Sequence, residues 1–189
     1  MKVISLISIL IILTLSPSKD KLVKTSVFNI KYSQVYEQPV SIEYTVLCTT
    51  SRYSRKGLDF YKCDSIKTSD NADYENNMYD KGHMAPAADF ACDSLKLRAT
   101  FSYLNCALQQ QDLNRGVWRL LEAHERDLAS DSTTVVKITV HFSNKSIKLP
   151  TGATIPDGFT KEIKCGMISE KYYFPNIKPK YPKYSQYKL

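Results

Sequence analysis

One histidine in this chain sits in a setting suited to chemistry. His83 lies within Tyr79-Asp80-Lys81-Gly82-His83-Met84-Ala85-Pro86-Ala87-Ala88-Asp89-Phe90, and the chain has only three histidines. Gly82 is open to backbone angles closed to other residues, and Pro86 stiffens the exit, so the segment is expected to hold the imidazole in one exposed pose. A neutral imidazole takes a proton from water near pH 7, which is the work of a general base. A second set of polar groups recurs at steps of four: Asn114, Trp118, Glu122 and Arg126. The pattern predicts a helix over residues 114–129. At about 100° per residue, Val117, Leu120, Leu121, His124 and Leu128 share an apolar arc, and the polar set lies on a different one. A solvated helix accounts for an i,i+4 Glu–Arg pair. It does not account for an asparagine at the helix start pointing the same way.

Two blocks of residues together carry a family resemblance. The first is Asp80-Lys81-Gly82-His83-Met84-Ala85-Pro86-Ala87. The second is Asn105, Gln109, Asp112-Leu113-Asn114, Gly116, Trp118, Glu122 and Arg126, in order and spacing. The sequence resembles the DNA/RNA non-specific endonucleases, metal-dependent nucleases of the ββα-metal (His-Me finger) type, over residues 32–167. The resemblance implies an α+β fold in which an antiparallel sheet is flanked by helices and a ββα element carries the site. It implies hydrolysis of DNA and RNA phosphodiesters to 5′-phosphates, with Mg2+ or Mn2+ as cofactor and contacts to the phosphate backbone.

Under that resemblance His83 is the general base and Asn114 the metal ligand. Glu122 anchors waters around the cation, and Arg126 stabilises charge on the phosphoryl oxygens or holds Glu122. Asn105 orients His83 or its loop. Asp80 is a structural partner fixing the signature strand, and Trp118 and Gly116 serve packing. An arginine facing the substrate phosphate is matched better by Arg55 than by its rival Arg52, both in the basic loop 51–57. Lys81 stands where an arginine is commoner; it keeps the charge for substrate binding and loses the bidentate fork. Leu104 and Leu108 also depart from the residues often found around Asn105. His124, on the core side of the helix, and His141, on the polar face of a strand, take structural readings.

The chain of 189 residues is long enough for one domain with a real core. A net charge of +7 suits a polyanionic partner. Five cysteines without a CxxC pair argue against a zinc ribbon and fit disulfides in an oxidising compartment. One free thiol and two bridges can be arranged in fifteen ways. A bridge from Cys48 to Cys63 would pin the basic loop.

The termini and the remaining segments complete the reading. Residues 1–18 read as a secretory signal peptide, with Met1-Lys2, an apolar run over 3–15 and small residues after it. A secreted or lumenal product is therefore expected, with no stable membrane association after cleavage. Residues 19–36 read as an extended lead-in. Strands are expected over 41–48, 133–142 and 162–168, and a short helix around Leu95. Asn144-Lys145-Ser146 is a glycosylation sequon on a turn. Residues 19–170 form the expected domain. Residues 171–189, rich in Tyr, Lys and Pro, read as a disordered or loosely packed tail, with an electrostatic arm for nucleic acid as the alternative; their five lysines supply most of the charge (+7 − 5 = +2 without them). The alternative function is a secreted protein of the same fold that binds nucleic acid without cutting it.

Overall fold

Alternating apolar residues build the main sheet. The computed structural model describes residues 20–189, so the expected signal peptide over 1–18 lies outside the described residues. Six antiparallel strands run in the order β1-β2-β3-β6-β7-β8. They are β1 (Asp20–Lys24), β2 (Phe28–Ser33), β3 (Gln38–Thr45), β6 (Thr134–His141), β7 (Gly158–Cys165) and β8 (Ile168–Pro175). One face is dry. It carries Ile30 and Tyr32 from β2, Ile42 and Tyr44 from β3, Val136, Ile138 and Val140 from β6, Phe159 and Ile163 from β7, and Tyr172 and Phe174 from β8. Period-2 alternation puts each strand's apolar set on this single face.

The helix α3 (Arg119–Ala129) covers that face, with Leu121 and Glu125 buried beneath it. Trp118, just before it, is fully buried, its ring centroid 5.5 Å from Phe159 and 5.6 Å from Phe174. Burying rings of this size is worth roughly 2–3 kcal/mol each in hydrophobic free energy.

A two-stranded antiparallel ribbon carries the signature. β4 (Tyr79–His83) pairs with β5 (Cys106–Gln110), with His83 opposite Cys106 and Gly82 opposite Ala107. Between the strands, α1 (Ser94–Ala99) starts at Asp93, whose side chain accepts from the Leu95 and Lys96 amides. β5 runs into α2 (Gln111–Leu113), a wide turn over Asn114–Trp118, and α3. The whole is an α+β fold, and β4, β5 and α3 form a ββα element.

Several sequence expectations need correction. Within the lead-in expected over 19–36, residues 20–24 and 28–33 instead form β1 and β2, joined by a turn in which Thr25 Oγ1 accepts from the Val27 and Phe28 amides. Residues 171–175 belong to β8, and the end of the expected tail returns to that strand through Tyr184, Tyr187, Lys188 and Leu189, while residues 180–183 are exposed. Tyr187 stacks on Phe174 at 4.8 Å, Lys188 Nζ lies 2.8 Å from Glu170 Oε1, and the Leu189 amide donates to Lys171 O. Aromatic burial holds this segment in place despite its charge. The regular helix begins at Arg119, because Gly116 breaks the helical path at φ −100°, ψ −114°. Leu120 is therefore exposed, and Trp118 and Glu125 take places on the core side.

The disulfide joins Cys48 to Cys92, with Cα atoms 5.7 Å apart, and Cys63 is free. The expected Cys48–Cys63 bridge is thus corrected. Main-chain bonds decide the pairing: the Leu47 and Cys48 amides both donate to Asp89 O, which draws residue 92 beside residue 48.

Candidate active site

His83 ends β4 with its ring between two phenylalanines. Ring centroids lie 4.7 Å from Phe60 and 4.8 Å from Phe101. Nε2 is buried without a hydrogen-bond partner among the described residues. Burial, followed by the nearby positive charge of Arg55, pushes the imidazole down to about 3. The ring is therefore neutral at physiological pH, and the exposed pose expected from sequence is corrected: the side chain is half-buried and Nε2 is shielded from solvent. Gly82 serves this placement through space, not through unusual angles. A Cβ there would lie 2.6 Å from Gln109 Cβ on the paired strand, and its φ is not positive. That corrects the conformational role expected from sequence.

The loop after His83 is fixed from below by Asn105. This side chain is fully buried. Its Oδ1 accepts from the Ala85 amide at 2.8 Å, and its Nδ2 donates to Ala85 O and Thr100 O. Its carbonyl accepts from the Met84 amide at 2.9 Å. Asn105 thus clamps the loop behind His83 and lies outside the cleft lining.

Asn114 follows α2, and its amide is oriented by the signature strand. Nδ2 donates to Asp80 Oδ2 at 2.9 Å. The same carboxylate takes both Arg115 donors, Nε at 2.8 Å and Nη2 at 2.6 Å. Because one end of the carboxamide is committed to Asp80, its carbonyl Oδ1 points away from that carboxylate. Asp80 was expected only to fix the strand; it also sets Asn114.

Glu122 and Arg126 sit one turn apart on α3. Burial, the largest influence, raises the Glu122 carboxyl to about 7, against the opposing pull of Lys161. Arg126 Nη1 donates to Asp89 Oδ1 at 2.9 Å, and Asp89 is completely buried in the turn that follows His83. Burial and the neighbouring Glu125 hold the Asp89 carboxyl well above its usual range. Beneath them Lys161 Nζ meets Glu125 Oε2 at 3.0 Å, both fully buried. Tyr44 donates to Glu125 Oε1 at 2.8 Å, and the ammonium lies 4.4 Å from the Trp118 ring centroid.

These groups open onto one cleft of about 770 Å3. Its lining includes His83, Asn114, Glu122, Arg126, Lys81 and Arg55. Arg55 reaches over the Phe101 ring at 6.0 Å. Arg52 is not in the lining; its amide is used in a bond to Ala91 O. Lys81 is at the cleft with its ammonium engaged. Nζ donates to Asp59 Oδ1 at 3.0 Å and to Asn71 Oδ1, over the rings of Phe60 and Tyr103.

The donor set fits a hard, heavily hydrated cation. Among the described residues no three His, Cys, Asp or Glu side chains converge as a metal cage. A preset amide oxygen and a carboxylate on one cleft wall match an ion that keeps most of its waters and takes one or two protein ligands.

Sequence reading missed three participants: Asp89 behind Arg126, Phe60 against His83, and Arg119 on the cleft wall. Asp89 sits six residues after His83, and an acidic group that close to the signature was the available signal. Phe60 and Arg119 gave none without the fold.

A family model described as DNA/RNA non-specific endonuclease matches residues 10–185. Mitochondrial endonuclease G of Bos taurus is 35% identical over 78 residues, covering 40% of this chain and 26% of that protein. The salivary endonuclease of Lutzomyia longipalpis is 38% identical over 77 residues, covering 39% of this chain and 19% of the relative. The matched stretches thus span about a quarter or less of these relatives' length. The fold is shared with the crystal structure of the EndoG/EndoGI complex, at TM-score 0.77 and 23% identity, over 89% of this chain and 79% of that one. With the family model covering nearly all of it, this chain belongs to the DNA/RNA non-specific endonuclease family.

Proposed function

We propose that the protein is a secreted, Mg2+-dependent, sugar-non-specific endonuclease that hydrolyses DNA and RNA phosphodiesters and leaves 5′-phosphates. The observation that carries this reading is the meeting of His83 and Asn114, 31 residues apart in sequence, on one cleft with Glu122 and Arg126. His83, kept neutral by its surroundings, removes the proton from the attacking water. Asn114 Oδ1 and the Glu122 carboxylate would hold Mg2+ or Mn2+, directly or through water. The bound cation supplies charge neutralisation at the phosphate and assistance to the leaving oxygen. Arg126, braced by Asp89, presents its remaining donors to the phosphoryl oxygens. Arg55 adds positive charge at the His83 end. Asn105 acts through the loop as a positioning residue.

Phosphate contacts carry no base information, so little sequence preference is expected. Secretion is supported by the apolar leader over 1–18 and by the Cys48–Cys92 disulfide. Purified protein should nick plasmid DNA and degrade RNA with Mg2+ and lose both activities under chelator. Full activity after exhaustive chelation rejects the metal. Binding without cleavage under every metal condition favours a silent nucleic-acid-binding protein.

A further inference from the structure

We propose that Arg119 binds a substrate phosphate next to the one being cleaved, in a role separate from those of Arg126 and Lys81. The proposal rests on the nuclease reading and deepens it. It starts from the charge balance of the cleft, whose lining holds five basic side chains: Arg55, Lys81, Arg115, Arg119 and Arg126. Three are already engaged by an acidic side chain within the protein: Lys81 by Asp59, Arg115 by Asp80 and Arg126 by Asp89. Among the described residues no carboxylate pairs with Arg55 or Arg119. A polyanion entering this cleft therefore meets two uncommitted guanidiniums. Arg55 lies at the His83 side, and Arg119 on the helix side.

Arg119 is also held in a pose. In a regular helix its amide would donate to Arg115 O. The break at Gly116 diverts that amide to Gly116 O. The freed Arg115 carbonyl is instead taken by Arg119's own Nε at 3.0 Å. This fixes the root of the guanidinium and leaves both terminal nitrogens for an oxyanion fork. The side chain is exposed and stands on the Glu122–Arg126 stripe of α3, three residues before Glu122. Arg119 and Arg126 are seven residues apart, about 10 Å along the axis. With Arg119 tied to the Arg115 carbonyl and Arg126 to Asp89, that separation suits neighbouring phosphates along a strand.

The test measures binding in a protein that cannot cut. His83→Ala protein is titrated with a fluorescein-labelled DNA duplex across a salt series, with and without Arg119→Ala or Arg119→Lys added. Arg119→Ala should weaken binding roughly five- to twentyfold at low salt and reduce the slope of log K against log salt by about 1. Arg119→Lys should keep most of the slope. Thermal melts confirm that each variant is folded, as expected for a change at an exposed position. An unchanged slope for Arg119→Ala, or absence of DNA binding by the His83→Ala parent, overturns the proposal. Wild-type protein that binds with this Arg119-dependent slope but never cuts overturns the hydrolytic reading and leaves the phosphate contact standing.

Discussion

Asp80 Oδ2 accepts a 2.9 Å hydrogen bond from Asn114 Nδ2, joining the signature strand to the turn before α3 across 34 residues. The bond decides which end of the carboxamide faces the cleft. Asp80→Ala would let the amide rotate and would release Arg115, so the half-saturating Mg2+ concentration should rise about ten- to a hundredfold, the range for losing a group that orients a metal ligand. Asp80→Asn keeps one acceptor and should fall between. Mg2+ titration of plasmid nicking measures it. A half-saturation unchanged in Asp80→Ala removes this carboxylate from the site.

His83 gives a prediction in two parts. His83→Ala should lower turnover about a hundredfold to ten-thousandfold, as for loss of a general base. The second part concerns stability. The folded imidazole is pushed down to about 3, against an unfolded value of 6.5. Between those values the unfolded chain binds the proton and the folded chain does not, so the native state loses stability as pH falls from about 6.5 toward 3. Urea midpoints at pH 7 and pH 4 should differ less in His83→Ala than in the wild type. Equal differences would place the ring in an ordinary solvated setting.

Glu122 predicts competition between protons and metal. Its carboxyl sits at about 7, raised by burial. Below that value the group is protonated and holds cation-bound water poorly. The apparent Mg2+ affinity should therefore fall by up to about tenfold per unit as pH drops below 7 and level off above it. Glu122→Gln should bind Mg2+ weakly at every pH and lose the dependence. Titrations at pH 6, 7 and 8 suffice. The same slope in wild type and Glu122→Gln would assign the dependence to another group.

The four residues singled out through the family resemblance, His83, Asn114, Glu122 and Arg126, line one cleft, and the two sequence blocks that carry the resemblance are what made that grouping legible. The Asp80–Asn114 and Asp89–Arg126 bonds were not legible, since each joins segments that meet only when the ribbon folds onto α3. Lys161 shows another limit. In sequence it lies just before the strand expected over 162–168, yet in β7 it faces inward because it shares the pleat of Phe159 and Ile163. Residues 171–175 misled through composition: lysine and proline signal a tail, while Tyr172 and Phe174 alternate as an edge strand does.

That inward lysine gives a stability prediction. Lys161→Ala leaves Glu125 buried beside Tyr44 without its ammonium. Removing one member of a buried pair costs about 3–5 kcal/mol. Replacing both, as Lys161→Met with Glu125→Leu, should cost less, because no orphaned charge remains. Urea denaturation of the single and double variants decides it. A double variant less stable than Lys161→Ala would mean the pair itself contributes net stability.

The cysteines offer a covalent check on the fold. Cys48–Cys92 closes a loop of 44 residues, while Cys63, Cys106 and Cys165 are free. Burial pushes the Cys106 thiol up to about 12, so it should resist alkylation in the native protein, whereas the partly exposed Cys63 should react first. Unfolded but unreduced protein should take up three alkyl groups, and peptide mapping should recover residues 48 and 92 linked. Cys92→Ser should lower stability by about 2–4 kcal/mol, as expected for releasing a loop of this length. Cys63 should not compensate, because the Leu47 and Cys48 amides hold residue 48 against Asp89, beside residue 92. A mapped link between residues 48 and 63 in active protein would show that the contact of Leu47 and Cys48 with Asp89 is not the one that shapes the turn behind Arg126.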